Sequence, residues 1–301
     1  MTRLSDDNLS GSILFEKPPS SAWKMRRRFL RRLLWTRKTG GIGMLIVLAL
    51  IVVALGAGVL APYDPADQDL TQRYKPPSET HLLGTDNFGR DLLSRIIWGA
   101  RISLQVGVMA VAISLLVGGA LGLTAGYVGG VVDQVICSVV ETLMAFPFLL
   151  LALTIITVLG PGMFNIMLAI GLASVPMFAR VLRAELLSAR EKDYVVAATC
   201  VGASHGRIVF KHIIPNVMSS MIVLMTTRVA TAVLTESSLS FLGLGIRPPT
   251  PSWGVMVAEG RAFLERAPWI ALIPGAVVLV TVLGFSLLGD SLRDALDVRM
   301  R

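Results

Sequence analysis

The sequence predicts an all-α, polytopic membrane protein with six transmembrane helices. Three observations carry that prediction. Hydrophobic residues make up 53% of the 301 and charged residues 16%, against about 25% charged in soluble domains. The apolar excess arrives in long uninterrupted runs, each suited to crossing a hydrocarbon core. Lysines and arginines cluster beside those runs, where basic residues set topology or touch anionic lipid. A net charge of +8 would suggest nucleic acid in a soluble protein; in this setting membrane lipid is the expected partner and nucleic acid is set aside. Cys137 and Cys200 lie too far apart in the topology for a disulfide framework or a zinc site, so no metal is expected.

Residues 1–38 form a cytoplasmic basic tail, in which Lys24, Arg26, Arg27, Arg28, Arg31, Arg32, Arg37 and Lys38 lead up to the first span. Such a block holds that end of a helix in the cytoplasm. Residues 39–63 carry no charge before Asp64 and suffice for a first transmembrane anchor helix, which needs about twenty residues. A cleaved signal peptide is the rival reading; the length of the span and of its basic segment favours an uncleaved anchor. Residues 64–101 form an extracytoplasmic segment. Within it Leu92, Leu93, Ile96, Ile97 and Ala100 make one helical stripe, with Arg90, Asp91, Ser94 and Arg95 on other faces. That is the pattern of an interfacial helix lying along the membrane surface.

Five spans follow over 102–289, and residues 290–301 form a second cytoplasmic tail. The second helix covers 102–127, Gly129-Gly130 make a tight turn, and the third span, capped by Asp133, runs to about Leu159. Gly160-Pro161-Gly162 divides a stretch too long for one crossing, and Arg180 and Arg183 end the fourth span. The fifth lies over 216–242 and the sixth between Pro268 and Leu288. In this arrangement 19 of the 28 lysines and arginines fall inside and 8 outside, consistent with both termini in the cytoplasm.

The loop over 184–215 breaks this apolar pattern. Tyr194, Ala197, Ala198 and Val201 fall at i, i+3, i+4 and i+7, one stripe of a short helix. Gly202 can end that helix in a left-handed conformation, Ser204 can start a second, and Pro215 sets the second one's limit. Arg207 and Lys211 lie four apart on the second helix. A bent pair of this kind suits docking on a partner's surface, although an ordinary amphipathic connector has the same pattern.

Ala197-Ala198, Gly202 and Pro215 resemble the EAA loop of permease subunits in binding-protein-dependent ABC importers. The resemblance implies a coupling helix seated on an ATPase subunit, with Tyr194, Val196, Ala197, Ala198, Gly202, Ala203, Ser204, Arg207 and Pro215 as its residues. Val196 stands where the motif usually opens with an acidic residue; Glu191 and Asp193 lie nearby. A longer and more specific run, GTDNFGRDLLSRIIWGARISL, resembles the second permease subunit of dipeptide, oligopeptide and nickel importers, as do RVATAVLTESSLSFLGLGIRPPTPSWGVM and LLGDSLRDALD. This implies an ABC importer type I permease fold in the bacterial inner membrane, with 102–289 as the permease core. It further implies a heterodimer with a homologous second permease subunit, two ATPase subunits, and an extracytoplasmic solute-binding protein. ATP and Mg would bind the ATPase partners and no cofactor this chain.

Charges inside the spans mark a candidate pathway: Glu141, Arg228 and Glu236, joined by Thr231 and Thr235 on the fifth helix. Hydrogen bonding between neighbouring helices is the competing role for the hydroxyls, and structural pairing for the charges. Arg228 and Glu236 stand about 12 Å apart along a helix and about 80° around it, which disfavours a direct pair. No Gly-x-x-x-x-Gly-Lys-Ser/Thr run occurs, so the chain cannot cradle nucleotide phosphates itself. His81, His205 and His212 all fall outside the apolar cores, and no catalytic residue is expected. The sequence reads as half of an ATP-driven import pathway for a peptide or similar small solute. An ion-coupled secondary carrier and a membrane-embedded enzyme are the alternatives.

Overall fold

The structure, a computed structural model, describes residues 38–297. The basic tail before Lys38 and the last four residues lie outside that range. Among the described residues every regular element is a helix; Thr85 and Asp91 form an isolated antiparallel bridge.

The helices, in chain order, are α1 (Lys38–Leu55), α2 (Ala57–Leu60), α3 (Leu92–Val128), α4 (Gly130–Met144), α5 (Phe148–Leu159), α6 (Met163–Arg190), α7 (Asp193–Cys200), α8 (His205–Arg207), α9 (Ile214–Phe241), α10 (Trp253–Gly260) and α11 (Trp269–Asp297). A π-helical stretch, Ile208–Ile213, joins α8 to α9. Four continuous helices are long and apolar enough to cross a membrane: α3, α6, His205–Phe241 and α11. The α4–α5 pair makes a further passage, bent by 94°, and α1 is a shorter apolar helix. Four spans, or five with the bent pair, therefore stand where six were expected, and α1 occupies the place of the first as a shorter apolar helix.

Several expected boundaries are corrected by local chemistry. The first span ends early: α1 stops at Leu55, α2 follows Gly56, and extended backbone begins at Ala61. The interfacial helix is not a separate element. Asp91 caps α3, its carboxylate accepting from the Ser94 amide at 2.8 Å, and no breaker intervenes before Val128, so one helix of 37 residues results. At 1.5 Å per residue that is about 55 Å, more than a bilayer core needs. The third span does not run straight from Asp133 to Leu159. Pro147 has no amide to donate and disfavours helical backbone at Phe146, so the chain breaks between α4 and α5. Gly129, not Asp133, occupies the cap position of α4, and Asp133 lies in the first turn.

Residues 184–190, expected in the loop, are the last turns of α6. Pro215 does not end its helix either. A proline ring collides with the carbonyl four residues back, and the wider π turn over 208–213 accommodates it at the start of α9.

The central packing is between α3 and α6, which run parallel. Gly118, Gly122 and Gly126, spaced four apart, form a seam on α3 that faces α6. A Cβ added at Gly118 would stand 2.5 Å from the Val175 carbonyl oxygen, and one at Gly122 2.5 Å from that of Ala179. On the α6 side Gly171 lies against Ala110 and Ile113, and Ser114 Oγ sits 2.8 Å from the Gly171 carbonyl oxygen. Backbones this close need small residues, because lipid supplies no hydrophobic drive for helix association.

Candidate functional site

The bend between α7 and α8 closes as a double hydrogen bond at a helix C-terminus. The Ala203 amide donates to the Ala198 carbonyl at 3.1 Å and the Gly202 amide to the Thr199 carbonyl at 3.0 Å, with Gly202 at φ +77°. Ser204 precedes α8, where its carbonyl accepts from Ile208, but its hydroxyl makes no capping bond. The inner side of the bend is anchored: Val195 is 5% exposed and clusters with Leu182, Leu186 and Ala189 of α6 and with Ile208 and Ile213. The outer side is apolar and open. Tyr194, Val196, Val201 and Phe210 are exposed, Val201 by 85% and Phe210 by 73%. Ala197, Ser204, Arg207 and Pro215 are also exposed, while Ala198 and Ala203 are half-buried. Patches of this kind mark interaction surfaces.

The bend sits beside the C-terminal end of α3. Arg190 of α6 donates to the Gly126 carbonyl at 2.9 Å, satisfying a helix-end acceptor, and the Tyr127 and His205 rings meet edge-on at 5.7 Å. Two turns back along α6, Arg183 grips Asp133 of α4 through two bonds, the second at 2.6 Å. A 170 Å³ cavity beside this pair is lined by Glu141 and Arg180 among others. Glu141 is exposed on α4.

Glu236 of α9 is completely enclosed, not on an open face. Its Oε1 accepts from the Ser240 and Ser252 hydroxyls, each at 2.8 Å, and its Oε2 from Ser103 at 3.4 Å. Ser252 also caps α10, and Ser103 accepts from the Trp253 amide at 3.3 Å. One carboxylate thus ties α3, α9 and α10 together. Thr231 and Thr235 donate to carbonyls four residues back, at 3.4 and 2.8 Å. Arg228 is half-buried and has no ion pair or hydrogen bond among the described residues. An arginine facing lipid at a helix centre costs about 2.5–3.5 kcal/mol on insertion scales.

Glu236→Ala is expected to lower stability by about 2 kcal/mol or more, because it strands buried hydroxyls without an acceptor. Glu236→Gln retains an acceptor and should lie closer to wild type. Thermal unfolding in detergent checks the order.

At the end of α3 opposite the bend, the GTDNFGRDLLSR run forms a knot of ions. Arg90 and Arg95 are each 1% exposed. Arg90 donates to Asp86 at 2.6 Å and to Glu259 of α10 at 2.9 Å; Arg95 reaches Glu259 at 3.1 Å. Asp91 also holds His81 at 2.9 Å. Just upstream, the Thr71 hydroxyl and amide both donate to Asp69 and hold its carboxyl below the usual carboxylate range. Sequence spacing places these charges on outward helix faces, but their partner lies 169 residues away. Glu259→Gln leaves two buried guanidinium groups poorly matched and is expected to cost about 3 kcal/mol. An unchanged unfolding midpoint would contradict that assignment.

Comparison with known proteins fits this architecture. Residues 118–301 match the family described as binding-protein-dependent transport system inner membrane component, and residues 21–77 match the N-terminal TM domain of oligopeptide transport permease C. The chain belongs to this family and is a permease subunit of an ABC importer, a multi-pass inner-membrane protein. It is 41% identical over 281 residues to the dipeptide transport system permease protein DppC of Alkalihalophilus pseudofirmus, covering 93% of this chain and 91% of that one. It is 43% identical over 297 residues to the di/tripeptide transport system permease protein DppC of Pseudomonas aeruginosa, covering 96% and 95%. It is 40% identical over 290 residues to the glutathione transport system permease protein GsiD of Pectobacterium atrosepticum, covering 96% and 95%. The crystal structure of an amino acid ABC transporter superimposes with a TM-score of 0.52 at 20% identity, over 66% of this chain and 92% of that one. That likeness concerns the fold alone.

Proposed function

We propose that this permease subunit forms half of an import pathway for a small peptide, and that the α7–α8 bend transmits motion from an ATPase subunit. The single observation that carries the reading is the bend itself: rooted on α6 through Val195, closed at Gly202, and presenting Tyr194, Val196, Val201 and Phe210 outward. A short helix packed this firmly moves as a unit with whatever grips its exposed face. The peptide assignment is supported by relatives described as dipeptide, di/tripeptide and glutathione permeases.

In this reading a homologous permease subunit completes the pathway, two ATPase subunits bind ATP and Mg, and a solute-binding protein docks outside. Both termini lie in the cytoplasm, on the same side as the bend. The relatives compared above are described as transport permeases, so the carrier and enzyme alternatives gain no support from them.

Cys200 offers a direct test, since it is exposed on α7 while Cys137 is half-buried beside Asp133. A membrane-impermeant maleimide is expected to label Cys200 in inside-out vesicles and to leave it unlabelled in right-side-out vesicles. A bifunctional maleimide should link it to the ATPase subunit. Labelling from the outer face would overturn the reading. Val201→Asp places a charge on the exposed patch and is expected to reduce ATPase recovery with the purified complex by about ten-fold, with insertion unchanged. Normal recovery would count against the patch.

A further inference from the structure

Among the described residues, four arginines are buried or half-buried: Arg90, Arg95, Arg183 and Arg228. The first three are answered by carboxylates, Arg90 and Arg95 by Asp86 and Glu259, and Arg183 by Asp133. Arg228 stands apart, with no acceptor among the described residues. Its position makes this costly. It lies near the middle of α9, Ile214–Phe241, about 20 Å from either end at 1.5 Å per residue. A cation at that depth must meet water, a partner subunit or a ligand, because acyl chains offer it nothing.

The nearby groups on its own helix are already engaged. Glu236 is saturated by Ser103, Ser240 and Ser252, and the Thr227 and Thr231 hydroxyls donate to backbone carbonyls. Arg228 is nonetheless only half-buried, so part of the residue lies on the surface of the chain. The helix that carries it continues without a break from His205, directly after the α7–α8 bend. The bend and Arg228 therefore lie on one continuous helical run.

We propose that Arg228 is a carboxylate-binding station for the solute midway along the pathway, which makes it a specificity-determining residue for transport. This rests on the reading of the chain as a peptide importer. A guanidinium presents a planar fork of donors that matches a carboxylate through two parallel bonds. A free C-terminal carboxylate is the group that di- and tripeptides and glutathione share. The unpaired guanidinium donors and the solute's anionic end are thus complementary, whatever the side chains of the peptide.

The test uses the complete transporter in sealed vesicles, with its binding protein and ATP. Labelled dialanine, trialanine and glutathione are compared with the C-terminal amides of the two alanine peptides. Arg228→Gln is expected to lower uptake of the free acids by about ten-fold or more relative to wild type, while each amide is taken up at its wild-type rate. Arg228→Lys, which keeps the charge but not the fork, should recover part of the loss. Equal loss for acids and amides, or no loss for either, would overturn the proposal.

Subunit recovery gives an independent reading. If Arg228 serves a carboxylate on the other permease subunit, Arg228→Gln will weaken their association during purification, and the proposal falls. Intact association supports it. Should wild-type vesicles take up none of the three solutes, the peptide assignment itself fails, and the association measurement alone then decides whether Arg228 is held by a partner or left open for an anion.

Discussion

Vesicles carrying the transporter with Gly202→Val are expected to hydrolyse ATP while accumulating little solute. Gly202 sits at φ +77°, a region that costs an ordinary L-residue about 1–2 kcal/mol and a β-branched one more. Space is not the constraint, since an added Cβ would meet nothing within 4 Å. The strain is local, so the spans should still insert. Its relief opens the bonds from the Ala203 and Gly202 amides to Ala198 and Thr199, and the exposed patch on α7 then loses its fixed angle to α6. Gly202→Asn is the informative control, because asparagine tolerates left-handed backbone at a helix end. It should keep most of the uptake. Equal loss in both variants, or normal uptake with valine, would show that the backbone angle at this bend does not matter.

Gly122→Val is expected to fail at an earlier stage, with little folded protein recovered. The added Cβ would lie 2.5 Å from the Ala179 carbonyl oxygen and 3.2 Å from its Cα. Both are backbone atoms of α6, so relief requires the two central helices to separate along the whole seam. Overpacking of this kind costs about 3 kcal/mol or more, a large part of an ordinary domain's stability. Gly119 faces a different contact, 3.6 Å from a Leu182 methyl, and Gly119→Ala should be tolerated. Recovery of monodisperse protein after detergent extraction separates the two. The Gly202 and Gly122 variants thus divide transmission from folding: one chain inserted but uncoupled, the other not folded.

The features legible in the sequence are those decided by neighbours along the chain. Long uncharged runs give the apolar passages, Gly160-Pro161-Gly162 separates two of them, and Gly202 ends a short helix because few other residues fit there. The features that sequence spacing misplaces depend on distant partners. Arg90, Asp91, Ser94 and Arg95 look like the wet face of an interfacial helix until Glu259 folds back onto Arg90 and Arg95. Glu236 suggests a pathway group, yet its three serines come from α3, α9 and the cap of α10.

Two further signals are present in the sequence but easily given too little weight. Pro147 stands at the break in the third passage. The four-residue spacing of Gly118, Gly122 and Gly126 announces a helix seam, though within a run of apolar residues it reads as ordinary membrane composition. Pro215 is a different case, because a π turn lets the chain carry a proline through what would otherwise be a helix end.

The central claim is that motion enters this chain through the α7–α8 bend from an ATP-driven partner. Its most direct measurement is uptake of labelled dialanine into sealed vesicles that hold the permease pair, with the ATPase subunits and ATP either supplied or withheld on the face that bears Cys200. The account predicts accumulation against a gradient only when both are supplied on that face. Accumulation by the permease pair without them, driven by an ion gradient alone, would contradict it.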